Sequence, residues 1–376
     1  MSIRSLYHTA RGLQGLAAAE RDSTTTPSLR RRLWLWRRGF LSQSDAVYDL
    51  EESTYESYVS DYQRYVRTKR INGTWSVALS NKLLFHRVLQ PFDERRMTVY
   101  GMLRDGTYHS VDSRTPHREV TDGGAASAPA EGRHEPASET ANAAQRVVSR
   151  LEDEGRLVLK WAHGGGGNNV FLCTDTDDGY RVNDDHYTGA EFRSLVAGLE
   201  EYLVCAFVEQ GSFATARYPE TPNTLRIITM YDDVENEPFI AAAIHRIGTT
   251  ESAPLDNFTQ GGLSASIDLE TGELGPGAQP STDGRVEWHT THPDTGTPVD
   301  GELIPGWERI RAQLLEMADA CSFVPYIGWD VIVTGSDGEF RVIEANSYPG
   351  LKSIQVHGPL LADERVRRFY ERTGVC

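Results

Sequence analysis

Residues Ile327–Asn346 read "IGWDVIVTGSDGEFRVIEAN". Two alternating runs flank Ser336–Gly338, which fits a three-residue hairpin loop with glycine in the left-handed position. Centring the loop on Asp337 sets Asp330 opposite Glu344. Asn346, two residues further on, falls on the same face. Ile332 and Val342 are expected on that face too, so three oxygen-bearing side chains gather at the end of a buried sheet. Buried carboxylates repel one another unless something positive joins them. Mg²⁺ suits this set: it takes one or two carboxylates, an amide and waters, and leaves positions for substrate phosphates. A hairpin with solvated acids is the plainer reading, and the apolar surroundings disfavour it.

Upstream, Val158–Asn169 reads "VLKWAHGGGGNN". A strand carrying Lys160 runs into Gly164, Gly165, Gly166 and Gly167, and a second strand follows. No G-K-[ST] follows the glycines and no helix starts there, so this is not a P-loop. Glycines let backbone N–H groups approach phosphate oxygens closely, and Lys160 supplies a point charge for them. Taken alone, the loop fits a flexible hairpin tip equally well. Lysine is scarce, however: among 38 basic residues only Lys69, Lys82, Lys160 and Lys352 are lysines.

The chain as a whole bounds the context. A 376-residue chain with 39% hydrophobic residues and net charge −16 reads as globular, with two or three structural units. Its acidity disfavours a nucleic-acid partner held by a general basic surface. Acidic excess with arginine in place of lysine suggests a salt-loving (halophilic) source. Cys173, Cys205, Cys321 and Cys376 form no C-x-x-C, so a reduced, cytoplasmic setting is expected. No signal-peptide core or membrane span is expected; the longest apolar run, Tyr202–Val208, is short.

The chain divides by composition into a helical segment at 1–75, a stretch at 76–120 that carries Lys82, a linker-like insertion at 121–142, and an α/β region at 143–376. In the first, "LRRRLWLWRRGF" (Leu29–Phe40) predicts an amphipathic helix with Trp and Leu packed inward; contact with a membrane surface is the disfavoured alternative. Tyr55, Tyr58, Tyr62 and Tyr65 are spaced as a helical stripe. "SN" (Ser80–Asn81) can cap a helix that starts at Lys82.

The order lysine at a helix start, strand–Lys160–glycine loop–strand, apolar strand, then D…E-x-N resembles the ATP-grasp superfamily. More narrowly, "LWRRGF", "LSNKLLFHRVL", "NTLRIITM", "DNFTQGGLSASIDLETGEL" and "IGWDVIV…RVIEANSYPGL" resemble the sugar-transfer-associated ATP-grasp family, described as related to α-L-glutamate ligases. The resemblance covers roughly residues 34–372, apart from the insertion. It implies an α+β ATP-grasp fold, two lobes with nucleotide between them, preceded by the helical N-terminal segment.

It also implies roles. Lys82 and Lys160 hold ATP phosphates beneath the loop Gly164–Gly167. Cys205, Phe207 and Val208 form the hinge that meets adenine through main-chain groups, with Glu209 near the N6 or ribose side. Asp330, Glu344 and Asn346 are the Mg²⁺ ligands, and Arg226 faces the γ-phosphate or an acyl phosphate. Trp161 departs from the pattern, since many ATP-grasp proteins have proline there. Three placements stay open: Arg246 binds an acidic acceptor or is a satisfied structural pair; Asn257, Gly261 and Gly262 form an anion-holding turn or a tight loop; Lys352 is a candidate for a substrate carboxylate. His245 reads as structural. The implied activity is an ATP- and Mg²⁺-dependent carboxylate–amine or carboxylate–thiol ligase working on small-molecule, peptide-linked or sugar-linked substrates. A small-molecule or sugar kinase, or a non-catalytic nucleotide-binding module, are the alternatives.

Overall fold

The N-terminal segment is helical but less regular than its spacing suggests. The computed structural model describes residues 3–111, 136–164, 169–281 and 284–376. Helices α1 (Ile3–Arg21), α2 (Leu29–Arg37), α3 (Ser42–Tyr48) and α4 (Val77–Ser80) come first. Ser28 caps α2 by accepting from the Arg31 amide. Leu35 of α2 is fully buried, but Leu29, Leu33 and Trp36 are 71%, 44% and 48% exposed, so the inward packing expected for this helix holds for only part of it. The tyrosine stripe is not one helix either. A 3-10 turn at Tyr55–Ser57 ends where Tyr58 turns extended, and a π turn follows at Gln63–Arg67. The break has a cause: the Gln355 amide accepts from Val59 N–H at 2.8 Å and donates to Val59 C=O at 3.0 Å. A side chain thus supplies both bonds that a helix would have used.

Contacts divide the chain into two units, one made of residues 1–80, 87–96 and 209–376, the other of 81–86 and 97–208. The smaller unit contains the start of α5 (Lys82–Val88), then β1 (Val99–Arg104), β2 (Thr107–Ser110), α6 (Pro136–Glu154), β3 (Arg156–Trp161), β4 (Val170–Thr176), β5 (Gly179–Val182), β6 (Asp185–Tyr187), α7 (Gly189–Ala197) and β7 (Tyr202–Ala206). Residues 136–142 of α6 lie inside the stretch read as an insertion. Proline at a first helical position, followed by an Ala-rich run, suits a helix start. Residues 121–135 lie outside the described residues. The strands form one antiparallel sheet in the order β2-β1-β7-β3-β4-β5-β6. One face packs Leu157, Leu159 and Val204 against Val147, Leu151, Phe192 and Val196 of the helices. Thr188 and Glu191 close a reciprocal cap on α7.

The larger unit continues with α8 (Ser212–Arg217), β8 (Thr224–Asp232), β9 (Glu237–Ile247), β10 (Leu263–Ile267), β11 (Leu274–Pro280), β12 (Val286–His289), α9 (Trp307–Ala320), β13 (Tyr326–Val333), β14 (Phe340–Asn346), α10 (Lys352–Gln355) and α11 (Glu364–Arg372). Its sheet is antiparallel, ordered β12-β11-β10-β9-β8-β13-β14. Every residue of β13 is buried, as its near-continuous apolar sequence requires of a strand covered on both faces. Ile228, Met230, Ile244 and Tyr326 pack against Phe369 and Tyr370 of α11. Among the described residues no helix is long and apolar enough to cross a membrane.

Candidate functional site

Asp330 pairs with Glu344 across β13–β14, as counting from Asp337 predicts, but the ladder reaches that pairing by another route. Near the turn the pairs are Val333↔Phe340 and Val331↔Val342, one residue out of step with Asp330↔Glu344. A bulge at Ile343 absorbs the difference. Directly paired residues share a face, so Val342 goes with Val331 to the side away from Asp330. Arg341, paired with Ile332, stands where Val342 was expected.

Register then carries the row across the sheet: Glu344, Asp330 and Arg226 are successive partners on β14, β13 and β8. Arg246 on β9 pairs with Thr224, one step diagonally from Arg226. The side chains meet. Arg226 grips Asp330 with both arms of its fork, Nε–Oδ1 at 2.5 Å and Nη2–Oδ2 at 2.9 Å, the geometry that suits planar charge pairing. Asn346 Nδ2 donates to Asp330 Oδ2 at 3.2 Å. Arg246 Nη1 lies 3.6 Å from Asp330 Oδ1, and its Nη2 donates to Asp256. Burial alone would push the Arg226 pKa down. Asp330, Glu344 and Asp256 outweigh it and hold the guanidinium above its ordinary value.

Asp256 is the member the sequence reading passed over, although it opens the quoted "DNFTQGG". It is buried, accepts from the Thr224 amide at 3.0 Å and from the Thr224 hydroxyl, and takes Arg246. Burial pushes its carboxyl pKa up, against the pull of Arg246. The signal was an aspartate within a Gly-containing turn directly after an arginine-bearing strand.

In the smaller unit, Lys160 and Lys82 are both buried. Lys160 Nζ approaches Met97 Sδ at 3.1 Å. Lys82 opens α5, and Asn81 caps it by accepting from Leu84 N–H at 2.9 Å. Lys82 Nζ donates to Gly164 C=O at 2.5 Å. Gly164 takes φ +76°, a conformation glycine adopts freely. Trp161, for which the sequence offers no reason, lies edge-on to His163, and a Cβ at Gly164 would meet its ring at 3.5 Å, an ordinary van der Waals contact. Gly165, Gly166 and Gly167 lie outside the described residues. Lys160 follows Val158 on the sheet face away from α6 and α7. That face carries Met97, Val99, Ala162, Leu203 and Cys205, with Leu83, Met102, Val158 and Val208 packed against them. Two ammonium groups therefore adjoin an apolar floor, the combination that a base with phosphates requires. The Phe207 ring lies 3.5 Å beneath the Arg156 guanidinium carbon, and the exposed Glu209 begins the other unit's longest stretch.

The model of the sugar-transfer associated ATP-grasp proteins matches residues 79–368. The chain belongs to that family. Solved structures similar to this ATP-grasp chain include the ATP-grasp ligase PsnB complexed with minimal precursor, at 10% identity and TM-score 0.39, covering 81% of this chain and 64% of that one. The D-alanine-D-alanine ligase from Coxiella burnetii is 13% identical with TM-score 0.36, covering 82% and 60%. The ADP complex of purK, N5-carboxyaminoimidazole ribonucleotide synthetase, is 10% identical with TM-score 0.38, covering 90% and 58%. The chain spans less than two thirds of the length of each. A comparison with curated proteins gives no match.

The remaining residues singled out in the sequence are placed as follows. Asn257 caps its own 3-10 turn, accepting from Thr259 N–H at 3.2 Å. Gly261 takes φ +96°, and its carbonyl accepts from Thr249 and Gln279. Gly262 N–H closes the turn on Asn257 C=O at 3.0 Å. Lys352 opens α10 and donates to Gln43 Oε1 at 3.0 Å; burial lowers its pKa, with Asp61 acting the other way. His245 is buried against Phe213 with its Nδ1 unbonded, and burial, helped by Arg217, pushes it down to about 3.

Proposed function

We propose that this chain is an ATP- and Mg²⁺-dependent ligase that joins a carboxylate to an amine or thiol. The observation that carries the reading is the charge cluster of Arg226, Arg246, Asp330, Glu344 and Asn346 on adjacent strands of one sheet. Two carboxylates and an amide oxygen are hard oxygen donors of the kind Mg²⁺ takes alongside substrate phosphates. Among the described residues no group of three or more His, Cys, Asp or Glu could hold a metal ion. Asp330, Glu344 and Asn346 would hold the ion, which supplies charge neutralisation at the phosphates.

The chain's own residues do the rest. Lys82 and Lys160 bind nucleotide phosphates as point charges, and the apolar floor beside them receives the base. Arg226 and Arg246 face the anionic groups that develop during transfer. A substrate carboxylate oxygen attacks the γ-phosphorus, the bond to ADP breaks, and an acyl phosphate results. The amine or thiol then attacks the acyl carbon and inorganic phosphate leaves. Catalysis of this kind rests on positioning and charge, with no protein nucleophile.

The test is a thermal shift with a non-hydrolysable ATP analogue, with and without Mg²⁺, on wild type, Glu344→Gln and Lys160→Ala. Ligand at a hundred times its dissociation constant stabilises the native state by about 2.7 kcal/mol, a rise of a few degrees in melting temperature. Glu344→Gln is expected to lose the Mg²⁺-dependent part and Lys160→Ala the nucleotide-dependent part. Unchanged shifts in both variants would overturn the site. Product analysis separates ligase from kinase: the ligase releases inorganic phosphate, whereas a kinase leaves it on the acceptor.

A further inference from the structure

The stretch "LRRRLWLWR" plays no part in this reading, and it precedes the residues that the family model matches. On α2, Leu29, Leu33 and Trp36 follow one another at helical spacing and are 71%, 44% and 48% exposed. Arg30 and Arg37 flank this stripe on one side, exposed, with no ionic partner among the described residues. The inward side of the helix is engaged within the fold: Leu35 is in the core, Arg31 holds Asp45, Arg32 reaches Glu20 and Arg38 holds Glu52, although the Nε atoms of Arg32 and Arg38 are buried without a hydrogen bond among the described residues.

Charge sets this segment apart. Residues 1–80 carry twelve Lys+Arg against eight Asp+Glu, a net +4 within a chain of net −16. Trp36 and Arg37 also border an open cavity of about 530 Å³. Arg38, Arg67 and Tyr62 line it too, and its single acid, Glu56, accepts from the Tyr55 hydroxyl at 2.9 Å.

We propose that this face of α2 docks on an anionic lipid surface, with Leu29, Leu33 and Trp36 entering the interface and Arg30 and Arg37 meeting lipid phosphates. Leu and Trp flanked by arginine on one helix face is the pattern of an interfacial helix. The face offers only three apolar side chains, far from the roughly 20–30 residues a side of a stable protein interface. A bilayer needs only such shallow insertion, strengthened by charge at about one lysine or arginine at a time. The arginine-lined cavity beside Trp36 gives a headgroup phosphate somewhere to sit.

The experiment is flotation of the full chain with vesicles of phosphatidylcholine alone and with 30% phosphatidylglycerol, at low and high salt. Wild type is expected to float with the anionic vesicles only, and less at high salt. Leu33→Ser/Trp36→Ser is expected to bind at least about tenfold more weakly, and Arg30→Glu/Arg37→Glu to lose binding. Arg30→Glu/Arg37→Glu keeps the wild-type melting temperature, because both residues are exposed; Trp36 donates its indole N–H to Glu20 at 3.2 Å, so Leu33→Ser/Trp36→Ser is compared with wild type well below its own melting temperature. Absence of flotation at low salt, or equal flotation of wild type and both variants, overturns the proposal. So does sedimentation showing that these substitutions abolish self-association in solution, since the face would then be a protein interface.

Discussion

His245 and Arg246 are sequence neighbours on β9 with opposite surroundings. Alternation sends Arg246 to the carboxylate row and His245 into the apolar interior beside Phe213. The buried ring is held neutral, with a pKa near 3 against 6.5 when unfolded. A depressed histidine contributes its full share above pH 6.5, and loses it as pH falls from 6.5 towards 3. His245→Phe removes this dependence. Its stability relative to wild type is therefore expected to improve by about 2–3 kcal/mol between pH 7 and pH 4.5, measured by urea unfolding at both. An unchanged difference would mean that the ring is already charged in the fold. His357, pushed down to about 4 by burial, keeps part of the slope in the variant. At this scale residue chemistry was legible and partners were not. Asp330 and Glu344 could be paired by counting, but Asp256 and Met97 come from loops, and no periodicity announces where a loop returns.

The pairing of Asp330 with Glu344 on the β13–β14 hairpin was read correctly for a reason the sequence does not display. A symmetric count from Asp337 ignores both the true centre of the ladder and the bulge at Ile343, and the two offsets cancel. Bulges depend on tertiary fit, so spacing cannot show them. The tyrosine stripe failed for a related reason: helical spacing at Tyr55–Tyr65 is overridden by Gln355, almost 300 residues away, which occupies the backbone of Val59. Gln355→Ala leaves both backbone groups of a buried residue unbonded. It is expected to cost about 2–4 kcal/mol of unfolding free energy, read from denaturant midpoints at unchanged slope. A loss below 1 kcal/mol would show that water or relaxation replaces the amide.

For the molecule as a whole, the two units each have a sheet and a core of their own. Scanning calorimetry is accordingly expected to give a calorimetric enthalpy larger than the van't Hoff value, the sign of more than one cooperative block; equality of the two would mean that the units unfold together. Family and fold class were legible because motif order survives where local structure varies, while the division at residues 80 and 208 was not, since each unit is assembled from separated stretches. The carboxylate row has one more consequence at this scale. Asp330 already has Arg226 on both oxygens and Arg246 nearby, so the fold neutralises its own acids. On the proposed reading it would act as an ion exchanger, not an empty socket: a divalent cation taken up at Asp330 would have to trade places with a guanidinium. Such an exchange is favourable only when the released arginine finds an anion of its own, which ties the uptake of the cation to the arrival of a negatively charged companion.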